Sequence, residues 1–453
     1  MKSSTISRRT FIGNSTTLAG ALAFPFVASR NVLGANSRMN IAGIGVGGKG
    51  AVDIGYCENE NVVALCDVDQ RRADVSYKRF DQSKLFTDFR VLFDKMEKSI
   101  DAVTVSTPDH THAHIALMAM DRGMHVYCQK PLTHTIEEAR ILTRAARKNK
   151  IVTQMGNQGH CQPDSRRLVE LIRGGALGKV KEIHVWTDRP IWPQGIQRPA
   201  GSIKAPTSLD WDLWLGPAPD RPYHPAYVPF KWRGWWDFGT GSLGDMGCHN
   251  TDLAYFSLGL KNPIHVEAVA SDFHKETAPR SAVIIYTFKN SEGENLPLTW
   301  YDGGRTPSPS LVGKNTLPKN GCIMIGTEDT LFVPMYWGAG SFLSGAKMSD
   351  FGSIPQSLPR FHGSDTNNDK AHHLEWIEAC KGNGKALSNF DYSGPMTESL
   401  LLGNVALRLQ EKVEWDAAGL KITNHPEANH LIRKQYRKGW ELPKVGAIKS
   451  AAI

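Results

Sequence analysis

The run Gly244-Asp245-Met246-Gly247-Cys248-His249-Asn250-Thr251-Asp252 sets a carboxylate and an imidazole four residues apart. In one turn of helix, positions i and i+4 share a face, so Asp245 can orient His249 or share a substrate hydroxyl with it. Histidine has its ordinary pKa near neutrality, which makes His249 the natural acceptor of an alcohol proton. An Asp/His pair on a helix also serves as plain structure. Alone, it does not establish catalysis.

A second cluster suits a dinucleotide. From Met39 an apolar strand enters the turn Gly45-Val46-Gly47-Gly48-Lys49-Gly50, in which Gly45, Gly47 and Gly50 have the G-x-G-x-x-G spacing. The first glycine permits the tight turn, the second lets backbone N–H groups approach a pyrophosphate, and the third lets the next helix pack on the strand. Gly43, Gly45 and Gly48 offer another register, but it would begin the turn inside the strand. A following strand, Val62–Cys66, ends at Asp67, 22 residues after Gly45. A carboxylate there accepts hydrogen bonds from ribose hydroxyls and repels a 2′-phosphate, which favours NAD over NADP. Arg71 and Arg72 nearby weaken that preference, and a surface-turn acid is the plainer reading of Asp67 taken alone.

These residues need a scaffold. Strands at Asp101–Val105, His125–Cys128 and Ile151–Met155 alternate with helical runs, one through Ile115 and Ala119 ending at Gly123, the next opened by a capping box of Thr135 and Glu138. This rhythm predicts right-handed crossovers and a parallel Rossmann sheet, with ligands at the carboxyl ends of its strands. Thr107-Pro108, Lys130 and Asn157-Gln158 fall at those ends. The candidate cofactor contacts are therefore Gly45, Gly47, Gly48, Gly50, Asp67, Thr107, Pro108, Lys130 and Gln158.

After His160 the texture changes. A helix at Ser165–Ile172 and a strand at Val180–Trp186 precede a Pro- and Trp-rich stretch; residues 186–236 hold seven of the twelve tryptophans. Flat aromatic faces suit sugar rings, and they also pack an irregular segment. Strand-like runs at Ile264–Ala270, Ala282–Phe288, Pro297–Tyr301 and Cys322–Ile325 predict a largely antiparallel second sheet. His372 and His373 are adjacent and share no helical face, so no metal site is expected, although His373 is a candidate neighbour of the active site. No two of the seven cysteines have C-x-x-C spacing, so neither a metal knuckle nor a full disulfide framework is legible. Cys66 and Cys128 read as buried thiols.

At 453 residues, with 22% charged and 41% AVILMFWYC residues, the chain fits a folded two-domain α/β protein and excludes collagenous or wholly disordered classes. Its formal net charge is +8, but Lys2, Arg8, Arg9, Arg30 and Arg38 all lie in the first 38 residues, which carry no acid. No folded basic face for nucleic acid is implied. Ser7-Arg8-Arg9-Thr10-Phe11-Ile12, followed by an apolar run to Val27, resembles a twin-arginine export signal and is too short to span a bilayer. A disordered basic tail is the alternative. Export machinery of this kind carries folded proteins, which predicts a soluble periplasmic protein whose cofactor travels with it and stays bound.

The glycine turn with Asp67, the segment Gln129-Lys130-Pro131, and Gly244-Asp245-x-Gly247-x-His249-x-x-Asp252 together resemble the Gfo/Idh/MocA oxidoreductase family, over about residues 39–440. The resemblance implies a Rossmann domain binding NAD, followed by an α+β domain with a large, mostly antiparallel open sheet that often mediates homo-oligomerisation. It implies Lys130, Asp245 and His249 as the catalytic residues around the nicotinamide. The expected organisation is a signal over residues 1–35, an NAD-binding domain over 36–160, a substrate and oligomerisation domain over 161–430, and an arm over 431–453. One departure stands out: the family commonly carries Glu before Lys-Pro, and this chain has Gln129. The implied reaction is hydride transfer between a sugar or glycoside hydroxyl and a tightly bound nicotinamide, with His249 taking the proton, Lys130 hydrogen-bonding the oxygen and Asp245 positioning both. Relatives that use NAD transiently to hydrolyse glycosides keep the same three residues. A non-catalytic sugar-binding protein is the remaining alternative.

Overall fold

Short apolar runs bounded by turn residues become the strands of the first sheet. In this computed structural model, which describes residues 38–443 other than 273, 315, 335–339 and 362–366, they are β1 (Asn40–Ile44), β2 (Asn61–Cys66), β3 (Lys84–Phe86), β4 (Ala102–Val105), β5 (His125–Cys128) and β6 (Thr153–Met155). They pair in the order β3-β2-β1-β4-β5-β6, all parallel. The crossovers carry α1 (Lys49–Gly55), α2 (Gln70–Arg79), α3 (Phe89–Met96), α4 (His112–Asp121) and α5 (Ile136–Asn149). Helix α5 opens on the expected capping box: Thr135 Oγ1 accepts from Glu138 N at 3.3 Å, and Glu138 Oε2 accepts from Thr135 N at 3.0 Å. Chain order reverses between β1 and β4, and a ligand crevice opens at such a switch point. The pair β3 and α3 was not anticipated. The twin-arginine motif, the rest of the export signal and residues 444–453 of the arm lie outside the described residues.

Among the described residues the second sheet has nine strands: β7 (Val180–Trp186), β8 (His265–Ala270), β9 (Ala282–Lys289), β10 (Asn295–Tyr301), β11 (Gly321–Gly326), β12 (Thr330–Pro334), β13 (Ser341–Phe342), β14 (Val413–Asp416) and β15 (Lys421–Ile422). Their order is β13-β12-β11-β7-β10-β9-β8-β14-β15. Only β7 and β10 pair in parallel; the other neighbours are antiparallel. The remaining helices are α6 (Pro163–Arg173), α7 (Trp211–Leu215), α8 (Gly241–Asn250), α9 (Asp252–Leu258), α10 (Asn368–Cys380) and α11 (Phe390–Leu409). Helix α11 packs on β8, α8 and α5, so it joins the two sheets through one continuous apolar core. On the sheet's other face Val269 is 64% and Ile285 40% exposed.

Residues 187–240 form a strap with little regular structure. It crosses the first domain at the end of β2: Asp69 and Leu209 form a β-bridge, Gln70 N donates to Ser208 O at 3.0 Å, and Asp210 N donates to Val68 O at 2.9 Å. Its rings pack mainly on one another, with Trp211 stacked on Trp214 at 4.8 Å and Tyr227 edge-on to Trp235 at 4.9 Å. At the far end of the chain, Trp440 lies 6.1 Å from Phe89 and under the Arg90 guanidinium, so the last described residues pack on the first domain. All seven cysteines are free thiols. Among the described residues no helix is long and apolar enough to cross a membrane.

Candidate active site

The dinucleotide cradle is built from backbone. Gly45 closes the turn with φ +74°, donating its N–H to Cys66 O at 2.8 Å. A Cβ there would meet the Thr107 methyl at 2.8 Å and the Ser106 carbonyl at 2.9 Å, so both conformation and space require glycine. Gly50 stands behind the turn rather than at its surface; a Cβ would fall 1.7 Å from Gly45 O, so only glycine lets α1 sit this close. Asp67 does something the sequence reading did not foresee. Its Oδ2 accepts from Val46 N at 2.9 Å and Gly47 N at 3.0 Å, and its Oδ1 accepts from Asp69 N at 2.9 Å. The carboxylate thus braces the turn besides facing the cavity, and burial raises its pKa despite those three N–H donors.

A cavity of about 830 Å³ opens on this turn. Gly45, Gly47, Gly48, Asp67, Thr107, Pro108, Lys130 and Gln158 all line it, and so does His249 from the second domain. The volume lies in the range of cofactor sites, and a glycine turn without side chains beside an acid fits a dinucleotide with a free 2′-hydroxyl. Two further walls come from the strap and from α10: Trp214 and Trp232, of the tryptophans weighed between packing and ligand contact, with Leu209 and Phe230, and Asp369, which sequence reasoning did not single out.

Lys130 and Asp245 meet across the two domains. Lys130 follows β5, and its Nζ donates to Asp245 Oδ1 at 2.6 Å and to Asp245 O at 2.9 Å. Arg233 Nε lies 3.2 Å from the same Oδ1. Helix α8 carries Asp245 and His249 one turn apart, as the spacing predicts, and its start is tied to the first domain: Asp109 Oδ2 accepts from Thr240 N at 3.1 Å and Thr240 Oγ1 at 2.7 Å. Burial alone would raise the Asp245 pKa, but the Lys130 ammonium and the Arg233 guanidinium overcome it and hold the carboxyl ionised. Burial lowers Lys130 even against that carboxylate. It also pushes His249 well below the ordinary imidazole value, with the Lys130 charge adding to the effect. His249 is therefore a neutral imidazole facing a cavity that holds an ammonium, which is the state a proton acceptor needs.

Sequence reasoning missed a buried carboxylate beneath this site. Asp53, fully buried on α1, accepts from Ser106 Oγ at 2.7 Å and Gln129 Nε2 at 2.9 Å on one oxygen; the other faces Lys49 Nζ at 3.1 Å and His373 Nε2 at 3.5 Å. Lys49 also reaches Asp369 at 2.8 Å. This explains the Gln129 departure: a glutamate at that position would aim a second carboxylate at Asp53. His373, weighed as a neighbour of the site, acts here through Asp53. Of these contacts only Lys49 with Asp53, at i and i+4, has a spacing from which the sequence could have signalled it.

Two outcomes follow. A base works only when neutral, so if His249 takes the alcohol proton, kcat/KM for oxidation should show no acid limb at the ordinary imidazole pKa of about 6.5, only one displaced below it. Its alkaline limb, reporting loss of the Lys130 charge, should begin below about 10.4. A pH–rate profile on the NAD-loaded protein checks both, and an acid limb centred at 6.5 refutes the assignment of a depressed His249. Gln129→Glu should destabilise the fold by on the order of 3 kcal/mol by opposing two buried carboxylates. One of the pair then has its folded pKa raised, so the deficit shrinks as pH falls; Asp53→Asn in the same chain should restore most of it in urea melts.

Residues 39–157 match the model of an oxidoreductase family with an NAD-binding Rossmann fold, and residues 186–297 match that of its C-terminal α/β domain. A levoglucosan dehydrogenase of Pseudarthrobacter phenanthrenivorans is 25% identical over 237 residues, 52% of either chain. A D-glucoside 3-dehydrogenase of Escherichia coli is 29% identical over 143 residues, 31% of this chain and 39% of that one. The chain thus matches about half the length, or less, of these two relatives. A levoglucosan dehydrogenase solved with NADH and levoglucosan superposes with TM-score 0.57 at 18% identity, over 83% of this chain and 99% of that one, a likeness that carries the fold. With both domain models matched in order around the glycine turn and α8, the chain belongs to the Gfo/Idh/MocA oxidoreductase family.

Proposed function

We propose that the protein is an exported NAD-dependent oxidoreductase that moves hydride between a sugar or glycoside hydroxyl and a tightly bound nicotinamide. The observation that carries this reading is that Lys130 from one domain and His249 from the other line the same cavity as the glycine turn. When bound, NAD supplies the hydride acceptor, or the donor in the reverse direction. Glycines 45, 47 and 48 would leave room for its phosphates, Thr107 and Pro108 would border its ribose, Asp67 would meet the adenosine hydroxyls, and Gln158 the nicotinamide end.

The chain's own groups handle the substrate oxygen. His249 accepts the hydroxyl proton as the carbon–hydrogen bond breaks, and returns it in reduction. Lys130 donates a hydrogen bond to that oxygen and stabilises the charge that develops on it. Asp245, with Arg233 behind it, aims the ammonium. Phe230, 48% exposed, and Trp232 give the cavity an apolar wall against which a sugar ring's C–H face can lie.

The strap supports retention of the cofactor, because its bonds to Val68, Asp69 and Gln70 close the chain over the Asp67 end of the cavity. A captive cofactor also favours a second reading, glycoside hydrolysis in which one hydroxyl is oxidised, the aglycone leaves by elimination, water adds and the same carbon is reduced again. Export is supported by Arg8-Arg9 and the apolar run after them, and homo-oligomerisation by the exposed face around Val269 and Ile285. Replacing both arginines by lysine should keep the protein in the cytoplasm, and light scattering of the mature form should give more than one chain; a lone chain removes the oligomer.

His249→Ala and Lys130→Ala should each lower turnover about 10²–10⁴-fold while extracted NAD stays at wild-type content. Near-normal turnover in both overturns the proposal. A chromogenic glycoside without added cofactor separates the two chemistries: steady aglycone release means hydrolysis, whereas a keto-sugar formed only with an added electron acceptor means net dehydrogenation.

A further inference from the structure

His112, the first residue of α4, is fully buried and makes two bonds at the junction of the site. Its Nδ1 lies 2.9 Å from Pro131 O and its Nε2 lies 2.8 Å from Thr107 O. Pro131 follows Lys130 directly in the chain, and Thr107 is on the cofactor wall of the cavity. One ring therefore spans the gap between the segment that carries the ammonium and the segment that faces the dinucleotide.

We propose that His112 is a positioning residue for Lys130, setting the distance from the ammonium to the cofactor wall. Both of its partners are acceptors, so both bonds exist together only in the imidazolium form. Burial favours the neutral ring, in which one nitrogen donates to its carbonyl and the other presents a lone pair, so that only one of the two contacts is a hydrogen bond. In either form the rigid ring fixes the spacing of the two carbonyls, and with it the path of the chain into Lys130. The surrounding bonds leave little room for compensation. Thr111 Oγ1 donates to Pro108 O at 3.0 Å and accepts from Thr107 Oγ1 at 2.7 Å, which stiffens the Thr107 side, and Asp109 fixes α8 against the same segment. Thus the Thr107–His112 stretch holds α8 by its carboxylate and the Pro131 carbonyl, next to Lys130, by its imidazole. Reacting groups misplaced by about 1 Å lose on the order of 10²-fold in rate, so a strut of this kind acts on turnover more than on affinity.

The inference rests on Lys130 binding the substrate oxygen, as proposed above, and a double-mutant cycle on the NAD-loaded protein keeps the two claims apart. His112→Gln, which retains one donor, should lower kcat about 10–100-fold with KM within about 3-fold and bound NAD unchanged. In a Lys130→Ala background the same change should cost nothing further, because its effect passes through Lys130. A loss that repeats in full on Lys130→Ala, or that follows the loss of bound NAD, makes His112 merely structural and overturns the inference. Unchanged turnover in His112→Gln, where Lys130→Ala is slow, overturns it too; fast Lys130→Ala sinks the reading of the site instead. If glutamine does not fold, the wild-type complex with NAD and substrate carries the test. Both ring-to-carbonyl distances must stay below about 3.2 Å while Lys130 touches the reacting oxygen, and a released His112 beside an engaged Lys130 overturns the strut.

Discussion

The buried contact between Lys130 and Asp245 is the constraint around which the rest is arranged. It joins the end of β5 to the middle of α8 at 2.6 Å, with both side chains mostly removed from water. Desolvating two charges costs several kcal/mol per ion, and their attraction recovers this only in good geometry. Such a pair is a poor device for stability alone and a good one for geometry, since a small displacement of either domain leaves a charge unpaired. Arg233 on the strap and Asp109 before α4 extend the network, so that three separate parts of the chain agree on where α8 stands. In that frame His249 shares the cavity with the Lys130 ammonium, whose charge adds to burial in keeping the imidazole neutral.

A second carboxylate, Asp53, governs the floor of the site in a similar way. It collects a hydroxyl, an amide and the Lys49 ammonium, each from a different segment. Gln129 then makes sense as the partner of a buried acid instead of a lost charge. The negative charge sits one layer back on α1, and Lys130 keeps only Asp245 as its bonded counter-ion among the described residues. Side chains that are unusual in a motif can be ordinary once their buried partner is known.

How much of this was legible in advance depended on the range of the interaction concerned. The glycine turn, the strand into Asp67, the Thr135/Glu138 cap and the helical turn from Asp245 to His249 are local, and local spacing sufficed for all of them. The edge strand β3 escaped notice because it is three residues long, with Leu85 53% exposed, so it carries no apolar run to read. Nothing in spacing could pair Asp53 with Gln129, Asp109 with Thr240, or Leu209 with Asp69, since these partners are 76, 131 and 140 positions apart and meet only through topology. The tryptophans illustrate the same limit. Their number announced a packed or sugar-facing segment, but only the fold separates Trp235, sealed in the strap's own core, from Trp232 at the cavity wall.

The strap connects this architecture to the chemistry. A cofactor that leaves after each turnover needs an open path at its adenosine end, and here the segment just after Asp67 is bound by a β-bridge and two backbone hydrogen bonds from another part of the chain. Those bonds cannot be weakened gradually by side-chain substitution, because they are made by the main chain and backed by an interlocked aromatic cluster. Retention would then be a property of the fold and not of a few affinity-setting side chains. It would suit a protein that has to keep its nicotinamide where none is supplied, and it would require each reduced cofactor to be reoxidised where it was formed. The cavity wall of Phe230 and Trp232 belongs to the same strap, so one segment would both close over the cofactor and meet the sugar that exchanges hydride with it.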